Sequence, residues 1–209
     1  MQNLPPEIID KIYSHTDIAV CIRDKQWYAL KERIDSGEVT IEWAARHGHL
    51  ELVKYFCSKG IKCTTYAINN AMDNAVLQGH LEIVKFLHEE TGAKGVTGII
   101  DYAAMYGYFE IVKYLHEVVG RCTKNAMDYA AKNGHLEIVK YLHEVVGSVC
   151  TTNAMDWASA MGHLEIVKYL HEIVHAKYTT IAMDWASAME HRGVVEYLDT
   201  LGELNSRKE

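Results

Sequence analysis

The chain has 209 residues, 49% of them apolar and 23% charged, with 14 glycines and only two prolines, Pro5 and Pro6. That balance belongs to a folded protein with enough material for a continuous core. A formal net charge of −7 argues against a nucleic-acid binder, which needs a basic face to release counterions, and offers nothing to an anionic lipid surface.

No stretch reaches the roughly 18 apolar residues of a membrane span. The opening MQNLPPEIID has no basic start followed by an apolar run, so it does not read as a secretory signal. Five cysteines, an odd number without a Cys-x-x-Cys pair, read as reduced thiols of an intracellular, cytoplasmic chain.

Residues 1–16 stand apart. The stretch LPPEIIDKIYSHTDI from Leu4 resembles the opening of an F-box, whose pattern begins Leu-Pro-x-Glu-Ile; Leu4, Pro5, Glu7, Ile8 and Ile12 match it. The resemblance implies that Leu4, Pro5, Ile8 and Ile12 dock onto the adaptor of a cullin-type ubiquitin ligase. The same residues also read as a short helix covering the apolar end of the first repeat, with Pro5 or Pro6 near its first turn. Residues 17–37 read as a degenerate capping repeat, with Trp27-YALKERIDSG as its second helix.

From 38 to 202 one pattern returns six times. GHLELVKYFCSKG starts at Gly48, GHLEIVKFLHEE at Gly79, GYFEIVKYLHEVV at Gly107, GHLEIVKYLHEVV at Gly134 and GHLEIVKYLHEIV at Gly162, with a decayed copy, EHRGVVEYLDTLG, from Glu190. Successive anchors lie 27 to 31 residues apart. Ahead of them stand NAMDNAVLQ, NAMDYAAKN, NAMDWASAM and IAMDWASAM, from Asn70, Asn125, Asn153 and Ile181.

Each copy reads as helix, tight turn, helix. In the copy around Gly134 the first helix aligns Ala126, Met127, Ala130 and Ala131, with Asn125 as its N-cap and Asp128 as a capping-box partner. Gly134 supplies the left-handed turn. The second helix carries the stripe Leu136, Ile138, Val139, Leu142 and Val146, while Glu137, Lys140 and Glu144 form a solvated rail. One pair cannot bury its own stripe, so the copies stack. The last copy and the polar tail, residues 203–209, read as the C-terminal cap.

At these residues the chain resembles the ankyrin repeat. NAMDWA stands where that family has Thr-Pro-Leu-His-x-Ala, and Gly-His-Leu-Glu-Ile-Val-Lys follows. The resemblance implies an all-α solenoid of helix-turn-helix units. The dialect Ala-Met-Asp with Lys-Tyr-Leu-His-Glu resembles ankyrin proteins of giant amoeba-infecting viruses, which implies host proteins as partners and the host cytoplasm as location. Two departures are visible: a period of about 28 in place of 33, with reduced hairpin fingers, and Asn and Asp in place of the family's Thr and His.

Two histidine ladders, His49, His80, His135, His163 and His191 at the turns and His88, His116, His143 and His171 in Leu-His-Glu, place one imidazole per repeat, about 10 Å from the next. That is too far apart for shared zinc ligation. The turn ladder is expected to bond backbone and the other to line a helix edge. Asp73, Asp101, Asp128, Asp156 and Asp184 are likewise too separate for paired acid–base chemistry and read as first-turn caps. No nucleophile, phosphate-loop or zinc-protease motif is present. No catalytic site, metal, cofactor or small-molecule substrate is expected.

Variation within the template marks the binding positions. The two residues before each anchor differ in every copy but the last two, beside a ladder of Trp43, Asn74, Tyr102, Tyr129, Trp157 and Trp185 that reads either as interface or as packing between first helices. The ankyrin resemblance implies that these helix ends face a protein partner on the concave side. The residues expected to bind it are Arg46, His47, Met105, Tyr106, Lys132, Trp157, Met161, Trp185 and Met189. A self-assembling structural protein is the alternative.

Overall fold

The structure, a computed structural model, describes residues 33–120 and 122–206, with the backbone alone for 202–206. The F-box-like and capping readings of residues 1–32 lie outside the described residues. The chain divides into two units, residues 1–96 and 97–209. Among the described residues every regular element is a helix.

In the first unit, a helical end at 33–36 precedes α1 (Ile41–Arg46), α2 (Leu50–Lys59), α3 (Thr65–Leu77) and α4 (Leu81–Thr91). In the second lie α5 (Ile99–Met105), α6 (Phe109–Val119), α7 (Lys124–Lys132), α8 (Leu136–Glu144), α9 (Thr152–Ala160), α10 (Leu164–Glu172), α11 (Thr180–Ala188) and α12 (Arg192–Ser206). Odd-numbered helices are the first of each pair and even-numbered the second.

Side-chain size separates two rows within each unit. First helices bury alanines and a methionine, such as Ala126, Met127, Ala130 and Ala131 in α7, and so pack closely: α1 on α3 in one unit, and α5, α7, α9 and α11 in succession in the other. Second helices bury an Ile-Val-Leu triplet, Ile138, Val139 and Leu142 in α8, and touch one another far less. Burying such a triplet in α4, α6, α8 and α10, and Leu52, Val53 and Phe56 in α2, at about 25 cal/mol per Å² of apolar surface, supplies the main driving force.

The turn glycine has two functions. Gly134 takes φ +83°, which L side chains resist, and a Cβ there would lie 2.9 Å from His163 Cε1 of the next copy. That ring sits over the turn and donates Nε2–H to the Lys132 carbonyl at 3.1 Å. His80 does the same to Arg46 (3.1 Å) and His135 to Met105 (3.2 Å). Three members of the turn-histidine ladder, His80, His135 and His163, therefore bond backbone, as their position predicts.

The capping is not as the sequence reads. Asn125 lies inside α7, and the N-cap is Thr123, whose hydroxyl accepts the Asn125 N–H at 3.1 Å. Thr151 and Thr179 cap α9 and α11 in the same way. Nor does Asp128 cap its own helix. It is buried and reaches the next copy, where Thr151 donates its N–H to Oδ1 (2.9 Å) and its hydroxyl to Oδ2 (2.6 Å).

Asp101 with Thr123 (3.2 and 2.5 Å) and Asp156 with Thr179 (2.8 and 2.9 Å) repeat the junction. Asp73, in the first unit, accepts one backbone N–H, that of Val96 at 2.9 Å. The carboxylate prevails over a local cap because two donors from a fixed N-cap satisfy a buried charge better than one exposed N–H.

A third contact ties the outer row. Tyr141 hydrogen-bonds His116 Nδ1 at 3.0 Å, Tyr169 donates to Glu144 (2.8 Å), and Tyr197 donates to Glu172 (2.9 Å) while bonding His171 Nδ1 (3.0 Å). Burial, then these glutamates, push Tyr169 and Tyr197 up to about 12. The expected Glu–Lys rail exists as Glu51–Lys54, Glu82–Lys85, Glu110–Lys113 and Glu165–Lys168 at 2.6–3.5 Å. Lys140 instead stands 5.8 Å from the Tyr169 ring centroid.

Two stability measurements test these ties. Gly134→Ala is expected to lose about 1–2 kcal/mol for its left-handed backbone and more for the His163 clash. Gly120→Ala, also left-handed (φ +81°) but with nothing within 4 Å of its Cβ, shows the first cost alone. In a His163→Ala background the excess at Gly134 disappears.

Asp128→Ala, which strands the Thr151 donors, is expected to cost about 2–3 kcal/mol in urea unfolding, and Asp128→Asn about half as much. Burial raises the Asp128 carboxyl against the two Thr151 bonds that lower it. The folded protein therefore takes up this proton more readily than the unfolded one. The advantage of wild type over Asp128→Asn is largest in acid and narrows as pH rises through that raised value.

Candidate partner-binding surface

At three of the positions that vary between copies the stack recruits the backbone. Arg46, Met105 and Lys132 give their carbonyls to the turn histidines of the following copy. Their side chains differ in use: Arg46 is exposed, whereas Met105 and Lys132 are half-buried.

In the first unit, Arg46 is exposed. His47 is taken up locally: its Nδ1 lies 2.8 Å from the Trp43 carbonyl and its ring 4.3 Å from the Trp43 ring. In the second unit, Met105 is half-buried and Tyr106 is 47% exposed, stacked on Tyr108 at 6.2 Å. Met161, Trp185 and Met189 are 44%, 48% and 61% exposed.

Lys132, read from sequence as flanking charge, stands over Trp157 with Nζ 5.2 Å from the ring centroid, within the range of a cation–π contact worth about 0.5–1 kcal/mol at an exposed site. Trp157 also stacks on Tyr129, at 6.0 Å and 2° between planes. The two readings of the aromatic ladder thus divide by position. Tyr129 and Trp157 are half-buried between first helices, whereas Tyr102 and Trp185 present their rings to solvent. The structure places Met105, Tyr106, Lys132, Trp157, Met161, Trp185 and Met189 in one unit, with Arg46 and His47 in the other.

The chemistry of this surface is that of recognition. Aromatic, Met and cationic groups on fixed backbone are the types that anchor interfaces. Among the described residues no three His, Cys, Asp or Glu side chains converge as a metal site would require. The described cysteines, Cys57, Cys63, Cys122 and Cys150, are free thiols. Burial, then neighbouring Cys63, pushes Cys57 up to about 11, the wrong direction for a nucleophile. No helix of the described chain is long and apolar enough to cross a membrane.

With the geometry in place, the comparisons assign the class. Family profiles described as "Ankyrin repeats (3 copies)" and "Ankyrin repeats (many copies)" match residues 73–154 and 41–88. Together they take in just over half of the chain, which belongs to the ankyrin-repeat proteins as a helical solenoid of shortened units. It is also similar to a segment of the E3 ubiquitin-protein ligase Ufd4 of Drosophila melanogaster, 31% identical over 85 residues. That alignment takes in 35% of this chain and 3% of the ligase, so the chain spans a small part of that relative's length.

Because the row contributes to surface and not to core, Met161→Gln and Met189→Gln are expected to leave unfolding free energy within about 0.5 kcal/mol of wild type. Met155→Gln, at a fully buried site one turn away from that surface, is expected to cost several times more. Urea titration followed by circular dichroism distinguishes the three.

Proposed function

We propose that this ankyrin-repeat protein is a binding scaffold that grips a partner protein along the C-terminal ends of its first helices. Met105, Tyr106, Lys132, Trp157, Met161, Trp185 and Met189 supply the contacts in one unit, and Arg46 and His47 supply them in the other. One observation carries the reading: the exposed side chains of Tyr106, Met161, Trp185 and Met189 stand together with the cation of Lys132 at the C-terminal ends of the first helices of one unit. A preorganised row of this kind loses little entropy on binding.

A more specific form rests on the resemblance of Leu4, Pro5, Ile8 and Ile12 to an F-box opening, and on the similarity to a segment of a ubiquitin ligase. In this form residues 1–16 deliver the gripped protein to a cullin-type ligase adaptor. The likeness of the repeat dialect to viral ankyrin proteins supports host proteins of the cytoplasm as that cargo. Self-assembly without a ligase link is the rival reading.

Capture from a eukaryotic lysate, read by mass spectrometry, tests all three against Trp157→Ala/Met161→Ala and Leu4→Lys/Ile8→Lys variants. Partners lost only with the first variant establish the scaffold. Ligase subunits lost only with the second establish the adaptor. Partners retained by both variants overturn the site, and light scattering that shows mass rising with concentration favours self-assembly.

A further inference from the structure

The second unit shows one sequence in two settings. AMDWASAM occurs from Ala154 in α9 and again, letter for letter, from Ala182 in α11. On α9 the face is covered by α11: Met155, Asp156, Ser159 and Ala160 are buried, and Asp156 holds the N–H and hydroxyl of Thr179. On α11 the same letters meet solvent. Asp184, Ser187 and Ala188 are exposed, beside Trp185 and Ile181. An open cavity of about 450 Å³, lined by Ser187, Glu190, Arg192, Val195 and Glu196, adjoins them.

A terminal unit ordinarily turns a polar face outward. Here the second helix obeys, with Arg192, Glu196, Asp199 and Thr200 exposed. The first helix keeps an interior surface. We infer that the outer face of α11 is a docking site for a helix of another polypeptide, entered at its N-terminus by a Ser or Thr that pairs with Asp184, with small side chains against Ser187 and Ala188. The α9–α11 contact is the template, and the charge matches: a carboxylate meets the unsatisfied N–H groups and positive end of the incoming helix.

Glu190 narrows the occupant further. In the interior, the turn histidine of the incoming copy lies against a glycine; at Gly162 a Cβ would come within 2.6 Å of His191 Nδ1. The last copy has Glu190 in that place, held left-handed at φ +59°. Another repeat carrying this chain's turn histidine is therefore sterically refused, whereas a helix without it is admitted. A second copy is a poor donor besides: Thr123, Thr151 and Thr179 are already bonded to Asp101, Asp128 and Asp156, and Thr40 and Thr64 cap helices that the turn histidines His49 and His80 follow. Apart from Trp185, none of these residues belongs to the proposed partner-binding row.

The probe comes from the molecule: a synthetic peptide of residues 176–189, which is α11 with its Thr179 cap and without the turn histidine, held helical by a side-chain lactam on its far face. Titrated into the isotope-labelled full chain, it is expected to shift the Trp185 indole and the Asp184–Ala188 amides saturably. Asp184→Asn in the chain, or Thr179→Val in the peptide, should each weaken binding at least tenfold, as loss of charge-assisted hydrogen bonds requires. Tyr106→Ala, at the exposed end of α5 and separated from α11 by two first helices, should leave it unchanged, so this site can fail while the partner-binding row stands, and the reverse. Absence of shifts at α11, or equal binding by both altered forms, overturns the inference. So does sedimentation showing a dimer that Asp184→Asn abolishes, which would give the face to a second copy.

Discussion

The junction between a buried aspartate and the N-cap threonine of the next copy is the constraint on which the second unit depends. The threonine hydroxyl donates to the carboxylate of the preceding copy and accepts an N–H of its own helix, so one oxygen starts a helix and also fixes where it starts. Two donors converge on one carboxylate at 2.5–3.2 Å. A buried charge is tolerated only with such partners, so neither residue can shift along the stack alone. Two further ties complete the register: the histidine ring over the turn glycine, and the tyrosine on the outer row bonded to the His-Glu pair before it. Three ties at separate points set both distance and rotation between successive copies.

This division of labour explains why near-identical copies can still differ where they do. The turn histidines take backbone oxygens from Arg46, Met105 and Lys132, a bond that any side chain at those positions can supply. Substitution there leaves the junctions intact, whereas Ala130, Asp128 or Gly134 could not change without cost. A repeat that has given up most of its finger hairpin retains the ends of its first helices as places where chemistry can vary freely. A row of Tyr, Trp and Met at these helix ends is the form that such variation takes in this chain.

What was legible in the sequence is what lies within one copy. The period, the turn glycine, the Ile-Val-Leu stripe and the backbone role of the turn histidines can be read from spacing alone. The Asp–Thr junction was missed because its partners stand 22 or 23 residues apart, and a reading confined to one helix gave Asp128 to its own N-terminus and the cap to Asn125. A signal existed: Thr123, Thr151 and Thr179 each stand two places before the first residue of the Asn-Ala-Met or Ile-Ala-Met block. The aromatic ladder failed differently. Trp157 and Trp185 have identical neighbours in sequence, yet one is stacked on Tyr129 and the other is open, a difference set by what packs around each helix and not by its own letters.

The same asymmetry governs the end of the stack. Where a junction sets a carboxylate below and a hydroxyl above, as in the second unit, further stacking on α11 can be opposed in two ways: by removing the carboxylate, or by blocking the turn. The chain does the second. Glu190 replaces the glycine and excludes a histidine-bearing repeat, while Asp184, Trp185 and Ala188 are left as they stand in the interior. Blocking one tie while keeping another converts a surface that would extend the solenoid into one that discriminates among helices. Selectivity here comes from a steric refusal set beside an unspent carboxylate, and the attraction alone would not provide it.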